Sequence, residues 1–311
     1  MIRKLLAAAA ACVLILIVVV VANTVLISAQ YKDRPDAIEI VFDEQAVAKR
    51  LGTVVQFPTI SYEVAGPVAR DAFKGLTEFL RMSYPKVHEL LELEIISDYS
   101  LLYKWQGTNP ALKPIMLISH TDVDPVEPGT EGNWEHPAFS GEVVDGFIWG
   151  RGTLDYKVSV LAAMEAVEFL LGQEFSPART IYMAFGHDEE IGGANGAAKI
   201  AERLAREGVE LDFTLDEGTV IANDIIPGIS RPVALVGVAE KGYLTLRLEA
   251  QGLGGHSSMP PTNTAIGKLA RALARLEANQ MPARLEPPVT TMFDHLAPEM
   301  SFWMRLVMAN R

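Results

Sequence analysis

Between residues 93 and 215, short apolar runs alternate with segments of helical period, and three of the runs end in a turn that carries a histidine or an acid. Residues 93–96, 101–105, 114–119, 180–185 and 211–215 read as strands. Ala69, Ala72, Phe73, Leu76 and Leu80 have helical spacing, residues 158–171 read as a buried helix, and a further helix is expected near 194–206. Strands interleaved with helices leave few solutions. The expected fold class is α/β, a mostly parallel sheet with helices on both faces. In such a sheet, sites form outside the carboxyl ends of the strands.

The pattern changes near Gly242. Leu244, Leu246 and Leu248 alternate with Thr245, Arg247 and Glu249, which suits a strand with one wet face. A glycine-rich turn at 252–255 follows, and Ile266, Leu269, Ala270, Leu273 and Leu276 mark an amphipathic helix. Another helix is expected from Pro298. This reads as an α+β lid domain that has only begun. The expected organisation is a leader at 1–30, a charged stalk at 31–42, a catalytic α/β domain at 43–241 whose C-terminal part is missing, and the start of a lid or dimerisation domain at 242–311.

The leader has Arg3 and Lys4 before an apolar run from Leu5 to Ala22, then Asn23-Thr24 and Val25-Leu26-Ile27. About 18 apolar residues suffice to cross a bilayer. The exit, Leu26-Ile27-Ser28-Ala29-Gln30, is a poor cleavage site. A single-pass signal anchor is expected, with a cleaved signal as the alternative. The cations at the extreme N-terminus put that end in the cytoplasm and the remaining chain on the extracytoplasmic side. A net charge of −12 excludes a nucleic-acid partner, which needs clustered cations. The one cysteine, Cys12, lies in the leader, so neither a disulfide within the chain nor a Cys-based metal site is available.

Four clusters stand at strand ends or helix starts: Ser119-His120-Thr121-Asp122, the run Gly150 to Lys157 with Asp155, His187-Asp188-Glu189-Glu190, and Asp216-Glu217. Singly each has an ordinary structural reading, a helix cap or a solvated helix start. Together, histidine and carboxylates without cysteine form the ligand set of a catalytic, water-carrying zinc site. At His120 the imidazole can bind zinc while Asp122 holds its other nitrogen.

The motifs S-H-T-D at 119–122, G-R-G-T-L-D-Y-K at 150–157, H-D-E-E-I-G-G at 187–193, L-D-E-G at 215–218 and G-G-H-S-S-M-P-P at 254–261 occur in this order. They resemble the zinc-dependent aminoacylase, acetylornithine deacetylase and carboxypeptidase S family of exopeptidases. W-E-H-P-A-F-S-G at 134–141 and the anchor resemble its carboxypeptidase S branch. The resemblance implies a zinc-dependent hydrolase that cleaves amide bonds next to a free carboxylate, by metal-activated water with a glutamate general base. It implies His120, Asp155, Glu190 and Asp216 as metal ligands, with Asp155 bridging two Zn2+ ions. Glu189 would be the base, Asp122 the residue orienting His120, and His256 an oxyanion stabiliser, often supplied by a partner subunit. Small peptides or N-acyl amino acids are the implied substrates, and a homodimer through the lid domain is the implied assembly.

Two departures stand out. Tyr156 follows Asp155 where the family more often has a small or acidic residue. The family also supplies a further zinc-binding histidine near the end of a longer chain, and only His295 lies beyond His256 here, outside any matching motif. The second ligand set is therefore expected to be incomplete. The competing reading is a membrane-anchored, non-catalytic remnant with an incomplete metal site. His88, His136, His187 and His295 are read as structural or surface residues.

Overall fold

A computed structural model of the chain describes residues 2–27, 40–62, 68–218 and 221–311. The leader's exit at 28–30 and the stalk at 31–39 lie outside the described residues. The chain divides into two compact units, Ile38–Glu217 on one hand and Met1–Ala37 with Gly218–Arg311 on the other. The second unit opens with α1 (Ile2–Leu26), a 25-residue helix apolar enough to cross a membrane.

The unit Ile38–Glu217 begins with α2 (Glu44–Val55), whose cap residue Asp43 accepts a hydrogen bond from the Ala46 amide at 3.0 Å. It continues through α3 (Arg70–Ser83) and α4 (Pro85–Leu90), the latter with proline at its first position. Then come β1 (Glu92–Ile96), β2 (Ser100–Trp105), β3 (Ile115–His120), the short hairpin β4 (Val143–Val144) and β5 (Phe147–Ile148), α5 (Lys157–Gly172), β6 (Ile181–Gly186), α6 (Ala197–Arg206) and β7 (Thr214–Leu215). The five-stranded sheet has the order β1-β2-β6-β3-β7. Strands β6, β3 and β7 run parallel, whereas β1 and β2 join antiparallel at one edge. The sheet is thus mixed, with the expected parallel part holding the two central strands that end in histidine-bearing turns.

Side chains alternate between its two faces, as strand geometry requires. Leu101, Tyr103, Trp105, Met183 and Phe185 pack with Leu51, Val54, Leu76, Leu80, Val160 and Met164 from the helices α2, α3 and α5. Leu102, Met116, Tyr182 and Ala184 pack with Ile200 and Leu204 of α6 on the opposite face. Helix α5 is apolar nearly all round because it lies against the sheet with α2 and α4 beside it.

In the second unit, β8 (Ile221–Ala222) and β9 (Val233–Ala234) pair antiparallel, and α7 (Ala265–Ala278), α8 (Val289–Leu296) and α9 (Phe302–Ala309) follow. The expected amphipathic helix is α7. The expected strand at 244–248 is not formed: residues 235–255 carry no regular structure, and Leu244 and Leu246 are exposed. Among the described residues no strand pairs with this stretch, and a lone strand would leave its backbone groups without a ladder. The last helix starts at Phe302 rather than at Pro298, after a 3-10 turn at Ala297–Glu299, and α8 is an element the sequence reading did not foresee. Near its carboxyl end α1 meets α9, where Asn310 Nδ2 donates to Val20 O at 3.2 Å and Asn23 Nδ2 donates to Asn310 Oδ1 at 3.1 Å.

Candidate metal and catalytic site

Strand β3 delivers His120 as its last residue, and β6 ends at Gly186, directly opposite His120 in the parallel register. The chain turns sharply after each, which puts 120–122 and 187–190 side by side. His120 is buried, and its Nδ1 lies 3.1 Å from the carbonyl oxygen of Asp122 and 3.4 Å from Asp122 Oδ1. That leaves Nε2 facing a group of acids. Asp155 Oδ1 stands 3.2 Å from it, Glu217 Oε2 3.3 Å and Glu189 Oε2 3.8 Å.

Asp122 is 0% exposed, and it holds more than the imidazole. Its Oδ1 accepts from the Glu189 amide and its Oδ2 from the Glu190 amide, each at 3.1 Å. One carboxylate therefore fixes both the histidine and the 3-10 turn Glu189–Ile191 that presents the two glutamates. Gly192, with φ +94, and Gly193, with φ +65, let the chain leave that turn in the left-handed region. Asp188 is buried and accepts from the Asn195 and Gly196 amides at 2.7 and 2.8 Å, which seats the loop ahead of α6.

Asp155 comes from a run of turns that precedes α5 rather than from a strand end. Tyr156 lays its ring on His120 at 6.1 Å between centroids and 28° between planes. Lys157, the first residue of α5, is fully buried.

The donor atoms form two sets that share the histidine. His120, Asp155 and Glu190 place ligand atoms within 4.8 Å of one another, and so do His120, Glu189 and Glu217. One nitrogen and several carboxylates at this spacing match the hard and borderline donors that zinc accepts. The acids also act on one another and on His120. Burial, and then the neighbouring Asp124 and Asp155 charges, push Glu190 up to about 7. Glu189 and Glu217 are also raised, first by burial and then by the other acids, with His120 opposing. Burial works against a charged His120, yet the Asp122 carboxylate, with Glu217 and Glu189 behind it, holds it at about 9. Like charges crowded into a half-buried site need positive charge among them.

His120, Asp122, Asp155, Glu189 and Glu190 all converge, whereas Asp216 stands apart from both sets. Asp216 is exposed and its Oδ1 accepts from the Glu217 amide at 2.8 Å; it lines, with His120, Glu189 and Glu217, a cavity of about 310 Å³. Glu217 is the residue the sequence reading passed over. In Asp216-Glu217 two acids adjoin after a two-residue strand, and no period says which of them turns inward. His256 belongs to the other unit, where it is exposed and its Nδ1 lies 2.8 Å from Ser258 Oγ. The remaining histidines have partners of their own. His88 Nε2 meets the Tyr103 hydroxyl at 2.9 Å, His136 Nδ1 meets Glu142 at 2.8 Å, and His187 Nδ1 meets Ser100 Oγ at 2.6 Å.

The profile described as "Peptidase family M20/M25/M40" matches residues 116–309. N-fatty-acyl-amino acid synthase/hydrolase PM20D1 of Xenopus tropicalis is 43% identical over 271 residues, 86% of this chain and 52% of that protein. Probable carboxypeptidase S-like 2 of Dictyostelium discoideum is 42% identical over 282 residues, 89% of this chain and 54% of that protein. Carboxypeptidase S of Saccharomyces cerevisiae is 35% identical over 274 residues, 84% of this chain and 46% of its own length. The chain spans about half the length of these curated relatives.

Proposed function

Since the chain belongs to peptidase family M20/M25/M40, whose members are metal-dependent hydrolases, we propose that its site hydrolyses an amide bond beside a free carboxylate, in an N-acyl amino acid or a small peptide. The observation that carries this reading is the cluster of carboxylates around His120, Asp155 and Glu190 in one group and Glu189 and Glu217 in the other. The names of the relatives support the substrate class. An N-fatty-acyl amino acid and a carboxypeptidase substrate differ in the acyl group, a fatty acid in one and a peptide in the other, but both present an amide next to a free carboxylate.

In this reading His120, Asp155, Glu190 and Glu217 hold zinc, with Asp216 as the alternative to Glu217. Bound zinc lowers the pKa of water toward 7 and polarises a carbonyl. Asp122 keeps His120 in one orientation and anchors the amides of residues 189 and 190. Glu189 takes a proton from the attacking water as its oxygen bonds to the carbonyl carbon, and returns it to the nitrogen when the C–N bond breaks. Its proton affinity is raised by burial and by the neighbouring acids, which suits a group that must accept a proton and give it back. His256 is carried as the oxyanion-stabilising residue on the resemblance alone, and so is a dimer through residues 242–311. The division between a catalytic part and a lid at about residue 242 rests on the change of sequence pattern there. We read α1 as a membrane anchor with the remaining chain on the extracytoplasmic side, because Arg3 and Lys4 precede its apolar run.

The test is hydrolysis by the full-length protein of N-acyl amino acids and dipeptides, with and without a chelator. Turnover that disappears on metal removal and returns with zinc is expected. Chelator-insensitive turnover, or no turnover on either substrate class, would remove the proposal.

A further inference from the structure

The loop that carries Asp155 has no strand beneath it. Residues 150–156 are turns, yet Asp155 Oδ1 is held 3.2 Å from His120 Nε2. Beside that contact, two weaker ties join this loop directly to β3: the Ser119 hydroxyl donates to Tyr156 O at 3.4 Å, and the Tyr156 ring lies on His120. The strong tie runs through Lys157. Its backbone amide donates to Gly152 O at 3.0 Å and closes the loop on itself. Its Nζ donates to Phe57 O at 2.6 Å and to Val54 O at 3.3 Å, at the carboxyl end of α2. The last carbonyls of a helix lack partners within it, and the buried Nζ supplies donors to them, so the side chain's place is set by what it reaches.

The carbonyl of Phe57 is the start of a strap. Thr59 N donates to the same oxygen at 2.8 Å, and Thr59 Oγ1 donates to Thr121 O at 2.5 Å. Val123 N donates to Thr59 O at 3.0 Å and Ser61 N to Val123 O at 3.2 Å. Residues 57–61 thereby grip the chain on both sides of Asp122. Lys157 and Thr59 are both 0% exposed, so water offers neither a substitute partner.

We propose that Lys157 is a positioning residue which, through Phe57 and Thr59, sets the distance between Asp155 and the His120–Asp122 turn and so tunes the affinity of the metal site. The inference rests on the metal-site reading above. Outer partners that hold metal ligands in place change affinity by about 10–100-fold when lost, whereas a residue that merely fills the core changes stability and leaves the folded protein's affinity alone.

Zinc affinity of the full-length protein is measured by competition with a chromophoric chelator, beside thermal unfolding of the metal-free form. The variants are Lys157→Met, Thr59→Val, their combination, and Asp155→Ala. Lys157→Met and Thr59→Val should each weaken zinc binding about ten-fold while the protein remains folded. Because both cut one strap, the double variant should lose less than the product of the two. Should Lys157→Met not fold, Thr59→Val, which removes a single hydroxyl bond, decides the matter. Unchanged affinity in the folded variants, with affinity lost in Asp155→Ala, would overturn the inference and leave the metal site standing. Unchanged affinity in Asp155→Ala would overturn the metal-site reading and this inference with it.

Discussion

Asp122 makes the two glutamates that follow β6 unequal in consequence, because it fixes their backbone and leaves their carboxylates free to differ. Glu189→Gln keeps the turn and its amide bonds and removes the group that accepts a proton. Turnover of the full-length protein should fall by about 10²–10⁴-fold with zinc content unchanged. A variant that kept most of its kcat would show that Glu189 is not the base. Glu190 makes a prediction about pH. Its folded-state value of about 7 exceeds the roughly 4.3 of an unfolded glutamate. The folded, metal-free protein therefore binds the extra proton, and this contribution is present below about pH 4.3 and lost as pH rises through about 7. Metal-free protein should melt at a lower temperature at pH 7 than at pH 5, and Glu190→Gln should flatten that slope. Zinc uptake near pH 6 should release protons from both Glu190 and His120, whose folded-state values lie at about 7 and about 9, and unbuffered titration would record them. The strand-end positions of His120, Asp122, Glu189 and Glu190 were legible because each follows a run of recognisable period, whereas the roles proposed for them came from the resemblance of the motifs. Glu217 was not, since adjacent acids in a turn carry no period. Lys157 stood in the sequence only as the last residue of the 150–157 run, and its place is seen only with the carbonyls of Val54 and Phe57.

Helices and strands with strong period were readable to within a few residues: the helix expected at 158–171 is Lys157–Gly172, and the strand expected at 180–185 is Ile181–Gly186. Elements that depend on a partner were not. The strand expected at 211–215 shrinks to Thr214–Leu215, because it pairs only with Met116 and Leu117 at the edge of the sheet. The alternation at 244–248 forms no ladder at all, since alternation states which face would be apolar and not what would cover it. The hairpin of β4 and β5 depends on a contact no local pattern encodes. A side-chain atom at Gly52 in α2 would stand 2.4 Å from the carbonyl oxygen of Gly141, and one at Gly141 would stand 1.9 Å from Gly52 O. Backbone must give way in either case. Gly52→Ala should destabilise by about 1–3 kcal/mol, although alanine is the better helix former. Denaturant unfolding would show it, and an unchanged midpoint would mean that α2 can move off the turn without cost.

Along the whole molecule, the apolar α1 makes a prediction that the α/β unit does not. Twenty-five residues at about 1.5 Å each exceed the roughly 30 Å of a hydrocarbon core. The expressed chain should remain with membranes after a high-salt wash and leave them only in detergent; a soluble product that begins near residue 30 would identify α1 as a signal peptide instead. The order of the sheet carries one more consequence, which belongs to the time the chain is being made. Strand β6 lies between β2 and β3, so the strand that joins the two halves of the sheet is synthesised after both. At ~5–20 residues per second, roughly 4–15 s separate the end of β2 from the arrival of β6 at residue 181. During that interval β3 has no neighbour to pair with, and His120 and Asp155 emerge without the glutamates at 189, 190 and 217. On the proposed reading, only His120 and Asp155 of the ligands are then present, and firm metal binding would wait until the later strands have been made.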